Sequence, residues 1–541
     1  MSSWAGQPSV KGSSEAMRMM LLTFSSVGMT FTWGIEMTYC TPYLLSLGLT
    51  KGQTSVVWIA GPLSGLIVQP VIGVISDQSR SKWGRRRPII MAATMVVVCS
   101  LLALGFTKEI VGFFIADKQS AKVPTIAVAI LALYATDFAI NAVMSCSRSL
   151  VVDTLPAQKQ QAGAAWASRM SSIGHITGYG MGAIDLVSLL GTTLGDTQFK
   201  QLTVIAALGM LTSSLITCWA VTERILISVK QDSRRAQGRF KVFSQIWSTL
   251  LTLPPRIQAI CWAVFWSWIG WFPFLIYSST WVGETYFRYD VPEDAKNSSD
   301  ALGDMGRIGS MALTVYSLVT FLSAWILPLF IKAPDDESFT HRPPASLAPW
   351  IEKFNKIKPD LLTAWFFSHL IYSAAMFLAP FAASFRFATV LVAICGLPWT
   401  IAMWAPTTFL GVEVNKLSGE PASGSYRRLS VSSNIEMTDR TTRLEQHSSD
   451  APSATNTGEL SGVYFGILNI YTTLPQFIGT FMSTVIFAVL EPGKSPELAT
   501  DAHPSEHHGT DGPNAIAVCL FIGAASTLAA AYATRKLRYI P

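Results

Sequence analysis

Charge is what this sequence has least of. Of its 541 residues only 14% are Asp, Glu, Lys or Arg, where an ordinary soluble protein carries about 25%. Half of the chain is apolar. A soluble core of that apolarity would lack the polar surface to cover it, whereas a bilayer needs no such cover. Several globular domains, the expectation from length alone, are therefore excluded. Cysteine is scarce as well: Cys40, Cys99, Cys146, Cys218, Cys261, Cys395 and Cys519 all sit in apolar runs, without a CxxC pair. That argues against a disulfide framework or a zinc site and for small packing residues. Nucleophile–base pairs, metal clusters and phosphate loops do not stand out, so an enzyme is not expected and no cofactor is called for. The N-terminus shows no cleavable leader pattern, and the apolar run from about Met17 is long enough to remain as a span.

Twelve apolar stretches of about twenty residues can be read, each sufficient to cross a hydrocarbon core. They include 18–42, 54–76, 123–152, 162–190 and 256–278, and the last is 514–534. An even number puts both termini on one side. Of 40 basic residues, 28 fall on the segments that share a side with the termini and 9 on the opposite loops. Because the cytoplasmic side retains positive loops, both termini are expected in the cytoplasm. The formal charge of +6 is then a topology signal, and no nucleic-acid partner is implied. The fold class is an all-α integral membrane protein of two six-helix bundles. Residues 1–221 form the N-terminal bundle, 222–255 a basic central loop, and 256–541 the C-terminal bundle. Residues 413–460 have too little apolar content to fold and are expected to be a disordered cytoplasmic loop. In it Ser430 follows Arg427-Arg428-Leu429, a pattern that suits a kinase reading upstream basic residues. Asn297-Ser298-Ser299 is a glycosylation sequon, usable in an outside loop.

Ionisable residues inside spans are costly and mark pathways. The candidates are Glu36, Asp137, Arg148, His175 and Asp185. In span 4, Asp137, Asn141, Met144 and Arg148 fall on one stripe at 3.6 residues per turn, which should face a cavity. Asp137 and Arg148 are about 16 Å apart along the axis, too far to pair. An arginine stays charged throughout, whereas a desolvated carboxylate can take and release a proton near neutral pH. Asp137 is thus the better proton carrier and Arg148 a fixed charge; a structural charge network is the plainer alternative for both. His175 reads as a packing histidine or a relay.

Between spans 2 and 3 the chain reads Gly73-Val-Ile-Ser-Asp77, then Gly84-Arg85-Arg86-Arg87-Pro88. Gly73 should allow a close helix approach. Asp77 should accept from guanidinium groups or a helix start, and Pro88 suits the first turn of span 3. Such a charge clamp can hold one conformation of a rocking bundle. The motif resembles the signature loop of the major facilitator superfamily, whose cargo sites lie at mid-membrane between two halves.

From about Met17 to Leu490, long loops excepted, the chain resembles the sucrose–proton symporters of plants and their fungal α-glucoside relatives, in the glycoside-pentoside-hexuronide branch. The matching text is Trp33-Gly34, Thr41-Pro42-Tyr43, the block from Gly61 to Pro88, the span 4 pattern of acid, Asn, Arg and second acid, Gly178-Tyr179, Trp271-Phe272-Pro273-Phe274, Trp281, Leu468-Asn469 and Pro475-Gln476. The resemblance implies that Asp137 binds sugar hydroxyls and takes the coupling proton, and that Arg148 is the family's membrane arginine. Glu36 stands where plant members have Gln. Departures are Thr280, where plant members carry an acid, and Ile308 beside Arg307 and Asp304. Rings stack on sugar C–H faces, so the expected binding set is Asp137, Asn141, Glu36, Trp33, Gln69, Trp271 and Trp404. The expected function is proton-coupled import of a neutral disaccharide, sucrose or a maltose-type α-glucoside, by a monomer in the plasma membrane. The alternatives are a vacuolar transporter or a non-transporting sugar sensor.

Overall fold

The computed structural model describes residues 3–77, 79–156, 159–228, 251–291, 300–332, 358–417, 455–499, 502–509 and 512–540. Asn297, Ser430 and most of the central and 413–460 loops lie outside them. Four short strands, β1 (Ser3–Ala5), β2 (Ser9–Val10), β3 (Val221–Thr222) and β4 (Ile225–Ser228), form two antiparallel pairs, β1 with β4 and β2 with β3. They strap the N-terminal segment onto the chain leaving the N-terminal half.

Everything else of consequence is helix. The N-terminal half contains α1 (Glu15–Thr23), α2 (Ser25–Ile35), α3 (Thr41–Ser46), α4 (Lys51–Val57), α5 (Ala60–Asp77), α6 (Arg87–Gly105), α7 (Thr107–Phe114), α8 (Lys118–Thr154), α9 (Gln160–Ala183), α10 (Leu186–Leu190) and α11 (Gln198–Ala220). The C-terminal half contains α12 (Pro255–Thr285), α13 (Ala301–Phe330), α14 (Leu361–Phe377), α15 (Phe385–Ile394), α16 (Gly396–Leu417), α17 (Thr455–Leu490) and α18 (Ala515–Lys536). Among the described residues, 10 helices are long and apolar enough to cross a membrane by length and composition. Two further rods, α1 to α3 and α9, occupy the places read as spans 1 and 5. They fall short because polar groups dilute them: Ser25, Ser26, Thr30 and Thr32 in one, and Arg169, His175 and several serines in the other.

In a bilayer the helices cannot be driven together by apolar burial alone, so close backbone approach and polar ties decide which ones meet. Gly270 and Gly523 show the first device. A Cβ on Gly270 would lie 2.5 Å from the Gly523 carbonyl, so α12 and α18 touch backbone to backbone.

The two halves meet along a seam whose hydrogen bonds and ion pairs, between described residues, lie toward one end, while Arg169 also sits over the Trp325 ring across it at 5.1 Å. Between described residues the Ser55 hydroxyl donates to the Thr480 carbonyl at 3.1 Å, and the Ser279 hydroxyl to the Met37 carbonyl at 2.8 Å. Arg307 pairs with Asp185 at 2.9 Å, and Lys51 reaches Glu284 and Glu491. All of these bonds and pairs sit at the end of the bundle that carries Lys51. The loop with Arg85, Arg86 and Arg87 lies at the opposite end. Gly73, expected to make a close helix approach there, faces open space: a Cβ would meet nothing within 4 Å. The physical reason is the uneven seam, whose ties gather at the far end of α5 and leave this end of the helix unpacked.

Candidate functional site

The rod that starts at Glu15 does not run as one regular α-helix. Between α2 and α3 residues Glu36–Cys40 form a π-helical turn, a widening often found at functional sites. It buries Glu36, 3% exposed, with neither carboxylate oxygen hydrogen-bonded. Asp137, on α8, is equally buried, and its Oδ2 has no partner. The two acids are close enough for their charges to repel one another.

Asn141, one turn beyond Asp137, ties α8 to α5. Its Nδ2 donates to Ser64 Oγ at 2.7 Å and to the Asp137 carbonyl at 3.0 Å. Its Oδ1 accepts from Gln69 Nε2 at 3.0 Å. The structure therefore brings together Asp137, Asn141, Gln69 and Glu36 from three helices. Ser64 is a member that the sequence reading missed; its only signal was a hydroxyl five residues before Gln69.

The polar stripe on α8 grades outward. Asp137 and Asn141 are buried, Met144 is half-buried and Arg148 is exposed. Arg148 has no hydrogen-bond or ion-pair partner among the described residues. It lies nearer the arginine end, where α8 stops at Thr154, so the stripe opens in that direction. Arg148 thus places a positive charge at the outer end of the stripe.

The aromatic residues divide. Trp33 and Trp404 are half-buried, Trp33 packing on the main apolar cluster and Trp404 on that of the C-terminal half. Trp271 is 1% exposed. Its ring centroid lies 4.3 Å from that of Tyr372, 5.0 Å from Trp399 and 5.4 Å from Phe274. Trp271 is thus enclosed by neighbouring rings and has almost no exposed surface in this conformation. His175 lies beside Tyr179, with ring centroids 5.6 Å apart.

The arginine loop is organised around two acids that lie far off in sequence. One carboxylate, Glu223, accepts from the backbone N–H groups of Arg85, Arg86 and Arg87 at 2.8, 2.9 and 2.8 Å. Those donors open α6, a helix N-terminus that attracts an anion. Asp153 takes the guanidinium groups, with Arg85 at 2.7 Å and Arg86 at 3.0 Å. Arg86 also donates to Ser76. Gly84 is required here: its φ is +116°, and a Cβ would lie 2.8 Å from the Glu223 carboxyl. The sequence reading gave the acceptor role to Asp77, which ends α5 and whose side chain lies outside the described residues. Between the described residues Glu223 and Asp153 fill that role. Pro88 occupies the first turn of α6 as expected.

Comparison with known proteins follows the same lines. No family model matches the chain. In fold it is similar to a bacterial homologue of the lysosomal transporter Spinster, solved in an inward-facing and occupied conformation, at a TM-score of 0.54 and 13% identity. That match covers 97% of this chain and 96% of the other. A D-xylose–proton symporter follows at a TM-score of 0.53 and 11% identity, over 97% and 98% of the two chains. Fold and helix pattern thus agree with those of solved multi-pass membrane transporters, at identities that show a likeness of fold. In sequence the chain is 28% identical to the general alpha-glucoside permease of Schizosaccharomyces pombe, over 97% of this chain and 94% of that one. It is also 28% identical to a sucrose transport protein of Arabidopsis thaliana, over 57% of this chain and 62% of the other. In sequence, then, the chain is similar to an α-glucoside permease over nearly its whole length and to sucrose transport proteins over a little more than half of it.

Proposed function

We propose that the protein moves a neutral disaccharide, sucrose or a maltose-type α-glucoside, into the cell together with a proton, by alternating access between its two halves. Sugar transport is the coarse reading that its relatives support. The observation that carries the finer one is the pair of buried acids, Glu36 and Asp137, with three of their four oxygens unpartnered beside the Asn141–Gln69–Ser64 network.

The chemistry follows from that arrangement. An ionised acid at mid-membrane costs about 2.5–3.5 kcal/mol on insertion scales, and two neighbouring acids cannot both stay charged without a partner. A proton taken by Asp137 removes the repulsion. Sugar hydroxyls then supply the missing donors to the open carboxylate oxygens, while Asn141 and Gln69 offer both donors and acceptors. Trp33 and Trp404 are the rings available for the sugar's C–H faces. Coupling requires that loaded and empty chains differ in which seam end they prefer to close. Arg148, on the approach, favours the ionised acid and hence proton release.

In this reading the arginine end and both termini face the cytoplasm, with the twelve rods as two six-helix halves, 1–221 and 256–541, joined by 222–255. The conformation with ties at the Lys51 end is then closed outside and open inside. The plasma membrane is the proposed location, the chain acts as a monomer, and a kinase acting on 413–460 is the proposed regulator. No cofactor is invoked beyond the proton.

The test is uptake of labelled sucrose and maltose in cells that lack their own transporters, at two external pH values. Asp137→Asn abolishes accumulation against a gradient, while equilibration down a gradient persists. If Asp137→Asn still concentrates sugar, the coupling role is wrong. If wild type moves neither sugar, the cargo is wrong.

A further inference from the structure

At the end opposite the arginine loop, the structure holds a buried charge cluster that the mechanism above does not use. Lys51, the first residue of α4, is capped there by Thr50 and Gln53. Its ammonium group lies 2.7 Å from Glu284 and also contacts Glu491. Glu284 ends α12 and accepts from Asn514 at 2.8 Å. Glu491 follows α17. It takes Arg288 at 2.6 Å and the Ala515 backbone N–H, at the start of α18, at 3.3 Å. His508 completes the group, its Nε2 3.8 Å from Glu491. The five ionisable side chains are between 1% and 5% exposed. Leu45 packs with Phe287, Met305 and Leu498 as an apolar cluster at the same end.

The distribution of these groups between the halves is telling. Glu284, Arg288, Glu491, His508 and Asn514 all belong to the C-terminal half. Lys51 alone comes from the N-terminal half. As drawn, two cations meet two carboxylates and the cluster is neutral without a charge on His508. When this end of the seam opens, Lys51 leaves with its own half, and a group of net charge −1 stays behind. A buried pair that loses one partner is strongly destabilised unless something replaces it.

His508 is placed to be that replacement. Its Nδ1 faces the Gly509 carbonyl at 3.2 Å, which directs Nε2 toward Glu491. The other charged groups near it are already engaged. Lys494 pairs with Glu506 at 2.6 Å, Glu497 accepts from Ser495, and His507 faces the Ala499 carbonyl. Arg288 remains with Glu491 in both states.

We propose that this cluster is the outer gate of the transporter, with Lys51 as its latch, and that on opening Lys51 is exchanged for a proton on His508. Low external pH then favours the outward-open state before any sugar binds, by a site separate from Asp137. The idea rests on the transport reading only in needing two conformations of the seam.

The test therefore leaves sugar out. Ser55→Cys puts a reporter thiol on the seam, where Ser55 is buried against Thr480. The full chain in nanodiscs is labelled with a bulky polar maleimide. The protein without the reporter gives the background, and each rate is divided by that of the same protein unfolded at the same pH. Adding Lys51→Gln raises the rate by about tenfold or more, as a shift of over 1.4 kcal/mol toward the open state requires. Lys51→Arg, which keeps the cation between Glu284 and Glu491, holds the rate near the starting value, which a misfolded variant would not do. An unchanged rate in Lys51→Gln overturns the latch. On going from a pH of about 8 to about 5.5, the normalised rate rises, and the response becomes flat in His508→Gln. A rate already flat with His508 present overturns the proton exchange. Failure of the cargo assignment would show as absent sugar uptake, with these labelling results standing as they are.

Discussion

The arginine loop allows a prediction worked from its geometry alone. Glu223 is 5% exposed and accepts three backbone N–H bonds besides its contact with Arg87 at 3.6 Å. In Glu223→Ala those three donors are left in a space that water fills only in part. Each unsatisfied buried donor costs about 1–3 kcal/mol, so the loss is about 3–6 kcal/mol after relaxation. Glu223→Gln should fare little better. Its amide keeps one acceptor oxygen, but turns an NH₂ group on donors that had faced the second carboxylate oxygen. Glu223→Asp keeps the charge on a shorter stem and loses part of the effect. The assay is thermal unfolding of purified protein followed by tryptophan fluorescence. For a cooperative unit the size of the N-terminal half, such a loss corresponds to a midpoint lower by about 10 °C in Ala and Gln, and by less in Asp. Equal midpoints for Glu223→Gln and wild type would refute the claim that this carboxylate anchors the start of α6.

Two glycines in the same region should behave oppositely. Gly84→Ala meets both a left-handed φ and the Glu223 carboxyl, and should lower the unfolding midpoint, whereas Gly73→Ala, with open space around it, should leave it unchanged or slightly raised by about 1 kcal/mol of helix propensity. The gate cluster sets a pH dependence. Burial would raise the Glu491 carboxyl, but Lys51 and Arg288 outweigh it and hold the group down at about 2. Since the folded value lies below the ordinary one, its stabilisation is complete above the ordinary value, about 4.5, and is lost as pH falls toward about 2. Unfolding midpoints measured between those values should fall steeply in wild type and more gently in Glu491→Gln. Finally, Gln69→Ala should raise the sugar concentration needed for half-maximal uptake while leaving proton-driven accumulation at saturation intact, because Gln69 contacts Asn141 and not the acids. Loss of accumulation at saturating sugar would place Gln69 in the coupling step instead.

What could be read from the sequence follows from how far apart the interacting residues lie. Membrane spans are local: about twenty apolar residues announce themselves without knowledge of any partner. Asp137 and Asn141 are also local, one helical turn apart, so that they share a face could be read without any partner. Ser64 and Glu36 reach the same place from other helices, and periodicity carries no information on that; Glu36 stood out as a charge inside a span and as a departure from the Gln of similar proteins, neither of which says what it faces. The ionic clusters are the extreme case. Glu223 caps residues 136 to 138 positions upstream, and Lys51 meets partners 233 and 440 positions away. In the sequence Lys51 was only a basic residue on the sparse side. Asp77, the acceptor read from the sequence, lies outside the described side chains, and Glu223 and Asp153 could not be read because they are far away along the chain.

The two charged ends also differ in a way that explains why one of them is shut. At the arginine end Arg85, Arg86, Arg87 and Asp153 belong to the N-terminal half, and Glu223 to the first residues of the linker, bound to that half. Their attraction is satisfied within that half, so separating the halves there costs those ion pairs nothing. At the Lys51 end the same kind of attraction crosses the seam, and separation breaks it. Ion pairs therefore bias the empty molecule toward closure at the Lys51 end, and the unpacked Gly73 at the other end is the expected counterpart. In the proposed transport reading, a molecule biased in this way returns its site outward only when something offsets the loss at Lys51. Within the molecule the group placed to do so is His508, 3.8 Å from Glu491.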